Sequence, residues 1–188
     1  MTDELKSPAI QDHNDQPTGN TTGLSLGKRR AAIQRHAGQM ALAMSRMARY
    51  RRLPMSDFDD LVLQPLLRNR AVFFGDIDGL DAPDGIAIWA SVSEAVAERI
   101  ARECAEGVFP IRLAASEWSS GDNVWLLDIV VPNRKSGSLL FQAFGRVTGE
   151  RSFRMHPVVL SSVEPELVER LREAVNSIAH THVPEENN

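Results

Sequence analysis

A chain of 188 residues, 43% of them hydrophobic and 24% charged, has the makings of one globular domain and lacks the bias of a fibrous or disordered polymer. Its single cysteine, Cys104, excludes an internal disulfide framework and fits a reducing compartment. No apolar run approaches the roughly 18–20 residues needed to cross a bilayer, and the acidic, polar opening (MTDELKSPAIQDHNDQ) has neither the charged start nor the apolar stretch of a signal peptide, so a soluble cytoplasmic protein is expected.

The formal net charge of −4 is unevenly spread. Lys28, Arg29, Arg30, Arg35, Arg46, Arg49, Arg51 and Arg52 fall in one stretch without Asp or Glu. A basic strip on an otherwise acidic chain suggests an acidic partner met at one place; a solvated helix face is the plainer alternative. The acidic balance of the whole chain and the lack of interleaved aromatic residues argue against a nucleic acid as that partner.

Residues 1–27, rich in Asp, Asn, Gln, Thr, Ser, Gly and Pro, predict a disordered tail, followed by one domain over 28–182 and a disordered end at 183–188. Ile33, Ala37, Met40, Met44 and Met47 recur at helical spacing and predict a helix over 28–50, closed by Pro54. The methionine stripe suits core packing or a dimer surface, and an acyl-chain groove as the functional alternative. Ser56 with Asp59 resembles a capping box opening a short helix through Leu63, which Pro65 should bend or end. Ala71–Ile77 and Ile86–Val92 read as strands around a Gly-, Pro- and Asp-rich turn. Ser93 then caps a helix in which Val96, Ile100 and Cys104 share a face, with Cys104 as inert core.

Phe109–Ala114 reads as a strand, WSSGDN (118–123) as a turn and Val124–Val131 as the strongest strand of the chain. VWLLDIVV is apolar on both faces, which predicts a central strand covered from both sides. After the loop PNRKSG, a helix is expected over Ser138–Val147, short strands at Ser152–His156 and Val158–Val163, and a last amphipathic helix at Glu164–Ala179. The fold class is therefore α/β or α+β, a mixed central sheet flanked by helices. A buried strand leading through a basic, Gly-containing loop into a helix resembles the acyl-donor site of GNAT-type N-acyltransferases, where backbone N–H groups bind the donor's phosphates. Here Arg134, Lys135, Gly137 and Ser138 occupy that place, in a loop shorter than is usual there.

The segment Trp118-Ser119-Ser120-Gly121-Asp122-Asn123-Val124-Trp125-Leu126-Leu127-Asp128 resembles the W-[ST]-S-G-D-x-x-W-x-x-D signature of the RTX toxin-activating lysine acyltransferases. Trp89-Ala90, Pro54 and Pro65 extend the likeness upstream, and Ser152-Phe153-Arg154 continues it more loosely downstream. The resemblance implies a GNAT-like fold that moves a fatty acyl group from acyl carrier protein, as a phosphopantetheine thioester and with no bound cofactor, to an internal lysine of an RTX protoxin. Acyl carrier protein is acidic, so Arg46, Arg49, Arg51 and Arg52 become its contact surface. Family members are often dimeric, which makes a homodimer the expectation.

Forming an amide from a thioester requires a neutral amine, a polarised carbonyl and a proton acceptor. In the family this work falls to a histidine just after the first helix and an aspartate on the buried strand. The aspartate corresponds to Asp128, a carboxylate whose burial between Leu127 and Ile129 would raise its pKa and suit it as a base. An Asp bonded to backbone at a strand edge is the structural alternative. The histidine of the family's H-x-x-x-P is absent: the chain has Tyr50-Arg51-Arg52-Leu53-Pro54, and Met47 stands where the family has a serine. Tyrosine, with a reference pKa of about 10, is a poor base. Three readings stay open. Tyr50 donates a hydrogen bond while Asp128 alone acts as base; or His36 or His156 reaches the site; or the chain is an inactive relative that binds acyl carrier protein or an RTX-like client without transfer. His180-Thr181-His182 is too sparse for a zinc site, and no metal is expected.

Overall fold

The computed structural model describes residues 21–75, 82–148, 152–171 and 173. Residues 1–20, part of the turn after Ile77, Ile77 itself, most of the stretch beyond Leu171, His180, His182 and the end at 183–188 lie outside them. The chain divides into two compact units, Met1–Ala32 and Ile33–Asn188. Everything described below, apart from the start of the first helix, belongs to the second.

Helix α1 spans Thr21–Ser45, beginning inside the stretch read as a tail. From Ala37 onward it presents Ala37, Met40, Ala43 and Met44 to the core, as the spacing predicts. It stops short of residue 50. Met47 N donates to Met44 O, Tyr50 N to Met47 O and Leu53 N to Tyr50 O, a run of three-residue turns that replaces the last helical turn. Pro54 cannot continue an α-helix, and the tight turns carry the chain to it. They also swing Arg49 and Tyr50 off the helix axis.

A short 3-10 turn (Met55–Asp57), a π-turn (Asp59–Leu63) and α2 (Gln64–Leu67) follow. The cap lies at Pro54 without a side-chain bond, so Ser56 and Asp59 form no capping box. Pro65 does not end the helix: it sits in the first turn of α2, just after the widened π-turn, where its missing N–H does no harm.

Among the described residues four strands form one sheet in the order β1 (Ala71–Phe74), β2 (Gly85–Val92), β3 (Asn123–Val130), β4 (Arg154–Met155). The first three are antiparallel and β4 runs parallel to β3, so the sheet is mixed. β3 is central and buried from Trp125 to its end. One core cluster lies between the sheet and α1 with α3 (Glu94–Ala105). The other lies on the opposite face beneath α4 (Arg134–Val147) and α5 (Pro157–Ser161). A last helical stretch covers 165–171. The expected α+β architecture with helices on both faces of a mixed sheet is thus present.

Two expected strands are not strands. Phe109–Ala114 is irregular: Ile111 and Leu113 point inward while Arg112 points out to Asp57, so the alternation is real. Pro110 removes a donor, and the segment finds no ladder partner. Val158–Val163 contains α5 instead, because Pro157 takes its first position and the His156 side chain accepts the Val158 N–H at 3.0 Å.

Gly121 shows why the turn before β3 has its composition. A Cβ there would lie 2.7 Å from the Val92 carbonyl oxygen and within 3 Å of two Ser93 backbone atoms. Gly121→Ala is expected to lower stability by about 1–3 kcal/mol, read as a thermal midpoint falling by about 2–4 °C per kcal/mol. A midpoint equal to that of the unaltered protein would refute the close approach.

Candidate active site

β3 meets β2 with a break in register. Ile88 pairs with Asp128, but the next residue, Trp89, pairs with Leu126, so Leu127 is an extra residue in the ladder. Such a bulge lets two successive side chains share one face. Leu126 and Ile129 pack under α4, whereas Leu127 and Val130 pack on the α1 side. Asp128 is thereby turned to the α1 side as well, opposite Ile88. Without the bulge the alternation counted from Leu127 would aim it at α4.

Its surroundings are mostly apolar, and Asp128 is only 4% exposed. The tight turns after α1 bring two partners. The Tyr50 hydroxyl donates to Asp128 Oδ2. Arg49 Nη2 donates to Asp128 Oδ1 at 2.7 Å and to the Ile129 carbonyl at 2.6 Å, while Nη1 reaches Ser162 Oγ at 3.3 Å. Burial pushes the Asp128 carboxyl up to about 7, against the opposing pull of the Arg49 charge, the Ile129 backbone and the Arg49 hydrogen bond. A carboxyl held there exchanges protons near neutrality, which suits a general base.

Two hollows adjoin this group. A cavity of about 20 Å³ touches Asp128 itself and is lined by Asp60, Leu61, Ile88, Phe109, Trp118 and Leu127 among others. On the other side of Leu61 a groove of about 450 Å³ runs past Met44, Tyr50, Leu53, Pro54, Phe58 and Val62. Its walls are largely apolar, and Tyr50 stands between it and Asp128. Both rings of the double-tryptophan segment, Trp118 and Trp125, are buried, and Trp118 lines the small cavity at Asp128. The Arg70 guanidinium lies 4.1 Å from the Trp89 ring centre and binds Trp118 O, Ser91 Oγ and Ser119 Oγ.

This arrangement of motif, bulged strand and buried acid coincides with a family match. The model of the RTX toxin acyltransferase family matches residues 30–168. The chain belongs to the RTX toxin acyltransferase family. No curated protein matches it. Acyl transfer to RTX toxins is the general activity of that family, and an RTX protoxin is the substrate class it implies.

Within this member, the other residues singled out above are dispersed. Arg46, Arg51 and Arg52 are exposed, with Arg51 at the groove, but Arg49 is not part of a surface strip: its side chain is 19% exposed and committed to Asp128. Arg134 and Lys135 lie exposed in the first turn of α4, which starts earlier than expected because the Asn133 side chain caps it by accepting from Ser136 N. Gly137 and Ser138 are buried. The Ser162 carbonyl presses on the Gly137 Cα, and the Ser138 hydroxyl accepts the Glu164 N–H at 2.9 Å. Packing between α4 and α5 therefore accounts for both.

His156 has both ring nitrogens engaged, one accepting from Val158 N and the other bonded to Val108 O at 2.9 Å. His36 stacks on Phe73 with ring centres 4.6 Å apart. Met40 and Met44 are core, and Met44 also lines the groove. Burial pushes the Cys104 thiol up to about 11, as befits an inert cysteine. Sequence reading placed Arg49 in the carrier-contact strip and missed it as the partner of Asp128. The signal was present in the pairing rule for charges: a lone acid in a greasy strand needs a cationic partner, and Arg49 adjoins the one tyrosine at the family's histidine position.

Proposed function

We propose that this chain transfers a fatty acyl group from acyl carrier protein to an internal lysine of an RTX-type protoxin, with Asp128 as the proton acceptor and Tyr50 as its hydrogen-bond donor. The observation that carries this reading is the buried carboxyl of Asp128, pushed up to about 7 and gripped by Tyr50 and Arg49 at the edge of an apolar groove. The lysine nitrogen attacks the thioester carbon, and a C–N bond replaces the C–S bond. The proton leaving the nitrogen passes to Asp128 and from there to the departing thiolate, so the carboxylate is regenerated. The groove at Met44, Leu53 and Phe58 takes the acyl chain. Exposed Arg46, Arg51 and Arg52 meet the acidic carrier, and Arg134 and Lys135 meet the phosphopantetheine phosphate. The reaction takes place in the cytoplasm, where the carrier is found, and the catalytic domain extends over 28–182.

Incubation of the purified protein with acyl-acyl carrier protein and an RTX protoxin should attach the acyl group to a lysine, seen by mass spectrometry of the client's peptides. An unmodified client alongside intact carrier binding would support the inactive-relative reading, for which Tyr50 at the family's histidine position is the specific observation. Tyr50→Phe removes one donor from a charged acceptor, a bond typically worth about 1.5–3 kcal/mol. It should slow transfer by about 10–100-fold with little loss of binding, checked by kcat and KM for the carrier. An unchanged kcat would remove Tyr50 from the site.

A further inference from the structure

We propose that Arg49 is a positioning residue for transfer: its guanidinium fork fixes the Asp128 carboxylate in one orientation and supplies the counter-charge that lets it accept a proton. The inference rests on the reading of Asp128 as the base.

The geometry is that of a clamp. Nη2 bridges Asp128 Oδ1 at 2.7 Å and the Ile129 carbonyl at 2.6 Å, and Nη1 is tied to Ser162 Oγ at 3.3 Å. One side chain thus links the bulge on β3, the turn after α1 and the residue that ends α5. The Ile129 carbonyl is open to it because β4 pairs with β3 only at Trp125↔Arg154 and Leu126↔Met155. The last bond of that edge runs from His156 N to Leu126 O. Beyond that point the two chain segments part, and Arg49 takes the carbonyl that a longer β4 would have taken. Aromatic faces hold the guanidinium in place, with its carbon 4.9 Å from the Tyr50 ring centre and 5.9 Å from that of Phe109. A lysine could supply the charge but not the planar fork that satisfies a carboxylate and a carbonyl together.

The charges around Asp128 make this residue decisive. Tyr50 donates a neutral hydrogen bond. Asp60 lines the same cavity and adds a like charge. Arg112 is drawn toward Asp57 at 3.0 Å and Asp60 at 3.8 Å. His156, near Phe109, has both nitrogens bonded to backbone. Among the described residues, the charged hydrogen bond and the ion pair to Asp128 both come from Arg49. Desolvation by itself favours the protonated acid, which cannot accept a proton, and the Arg49 charge opposes it.

Tyr50 is the chain's only tyrosine, so protein labelled with carbon-13 at the tyrosine phenol carbon gives one signal at the site. Its chemical shift should follow Asp128 with a midpoint close to 7 in the unaltered protein. In Arg49→Met the midpoint should rise by about 1–3 pH units, and the acid limb of kcat/KM should move with it. Arg49→Lys keeps the charge, so its midpoint should stay near the original while kcat falls about 10–100-fold and KM for the carrier holds. A folded Arg49→Met with an unmoved midpoint would overturn the inference, as would Arg49→Lys with an unaltered kcat. Should Arg49→Met fail to fold, the Arg49→Lys kcat decides. If the unaltered protein transfers nothing, the base reading falls on its own, and the tyrosine midpoint in Arg49→Met still judges Arg49.

Discussion

Asp128→Asn is expected to slow acyl transfer by about 10²–10⁴-fold, the usual cost of removing a positioned general base, while the fold remains. The amide is nearly isosteric with the acid but cannot take the proton. The same variant should also change how stability responds to pH. Burial raises the folded-state pKa of Asp128 to about 7, well above the carboxylate range of an unfolded chain. The protonated acid is the form that the folded site favours. Its contribution is therefore fully present below the ordinary carboxylate range and is lost as pH rises through about 7. Asparagine has no such dependence. Thermal midpoints of the two proteins, compared between about pH 5 and about pH 9, should diverge in favour of Asp128→Asn as pH increases. Parallel curves would mean that Asp128 is ionised throughout, as an ordinary surface carboxylate is.

Among the described glycines, Gly137→Ala should cost the most stability. A Cβ at this position would lie 1.8 Å from the Ser162 carbonyl oxygen and 2.9 Å from its carbon. Both sides of that contact are backbone, the first turn of α4 and the residue after α5, so no flexible side chain can yield. Separating them would stretch the Ser138–Glu164 bond at 2.9 Å and pull Ser162 away from Arg49. A loss of about 3 kcal/mol or more is expected, at the upper end of overpacking. Urea unfolding measures it as a lower midpoint at constant slope. Transfer should also fall, because Arg49 loses one of its three anchors. A midpoint within error of the original would show that α4 and α5 are not packed this closely.

Much of the fold could be read from the residues because local patterns and tertiary needs agree there. VWLLDIVV has no polar face, so it had to be covered on both sides, and β3 is the strand enclosed by both cores. Val96, Ile100 and Cys104 fall on one side of α3, which packs against the α1-side core. Asp128 stood out for the same reason, as the one charge in that greasy run. Pattern failed where partners decide. Phe109–Ala114 alternates like a strand, but alternation reports which side chains turn inward and says nothing of a neighbour to pair with. At Val158–Val163 β-branched residues outweighed Pro157 and His156, although a proline preceded by a capping side chain is a helix start.

The site was half legible. A bulge at Leu127 leaves no trace in a stretch apolar on both faces, so the residues alone do not tell which way Asp128 turns. In the same way Arg46, Arg49, Arg51 and Arg52 are alike in sequence. Only the tight turns that end α1 early select Arg49 to enter the protein while its neighbours stay in solvent.

The central claim is that a carboxyl buried beside Tyr50 and Arg49 carries the proton in acyl transfer without an imidazole. Its most direct test is the initial rate of acyl-lysine formation on an RTX protoxin, quantified by mass spectrometry over a range of pH with acyl-acyl carrier protein as donor. The rate should climb with pH and level off with a midpoint close to 7. A rate that does not vary between about pH 5 and about pH 9, or no acyl-lysine at any pH, would contradict it.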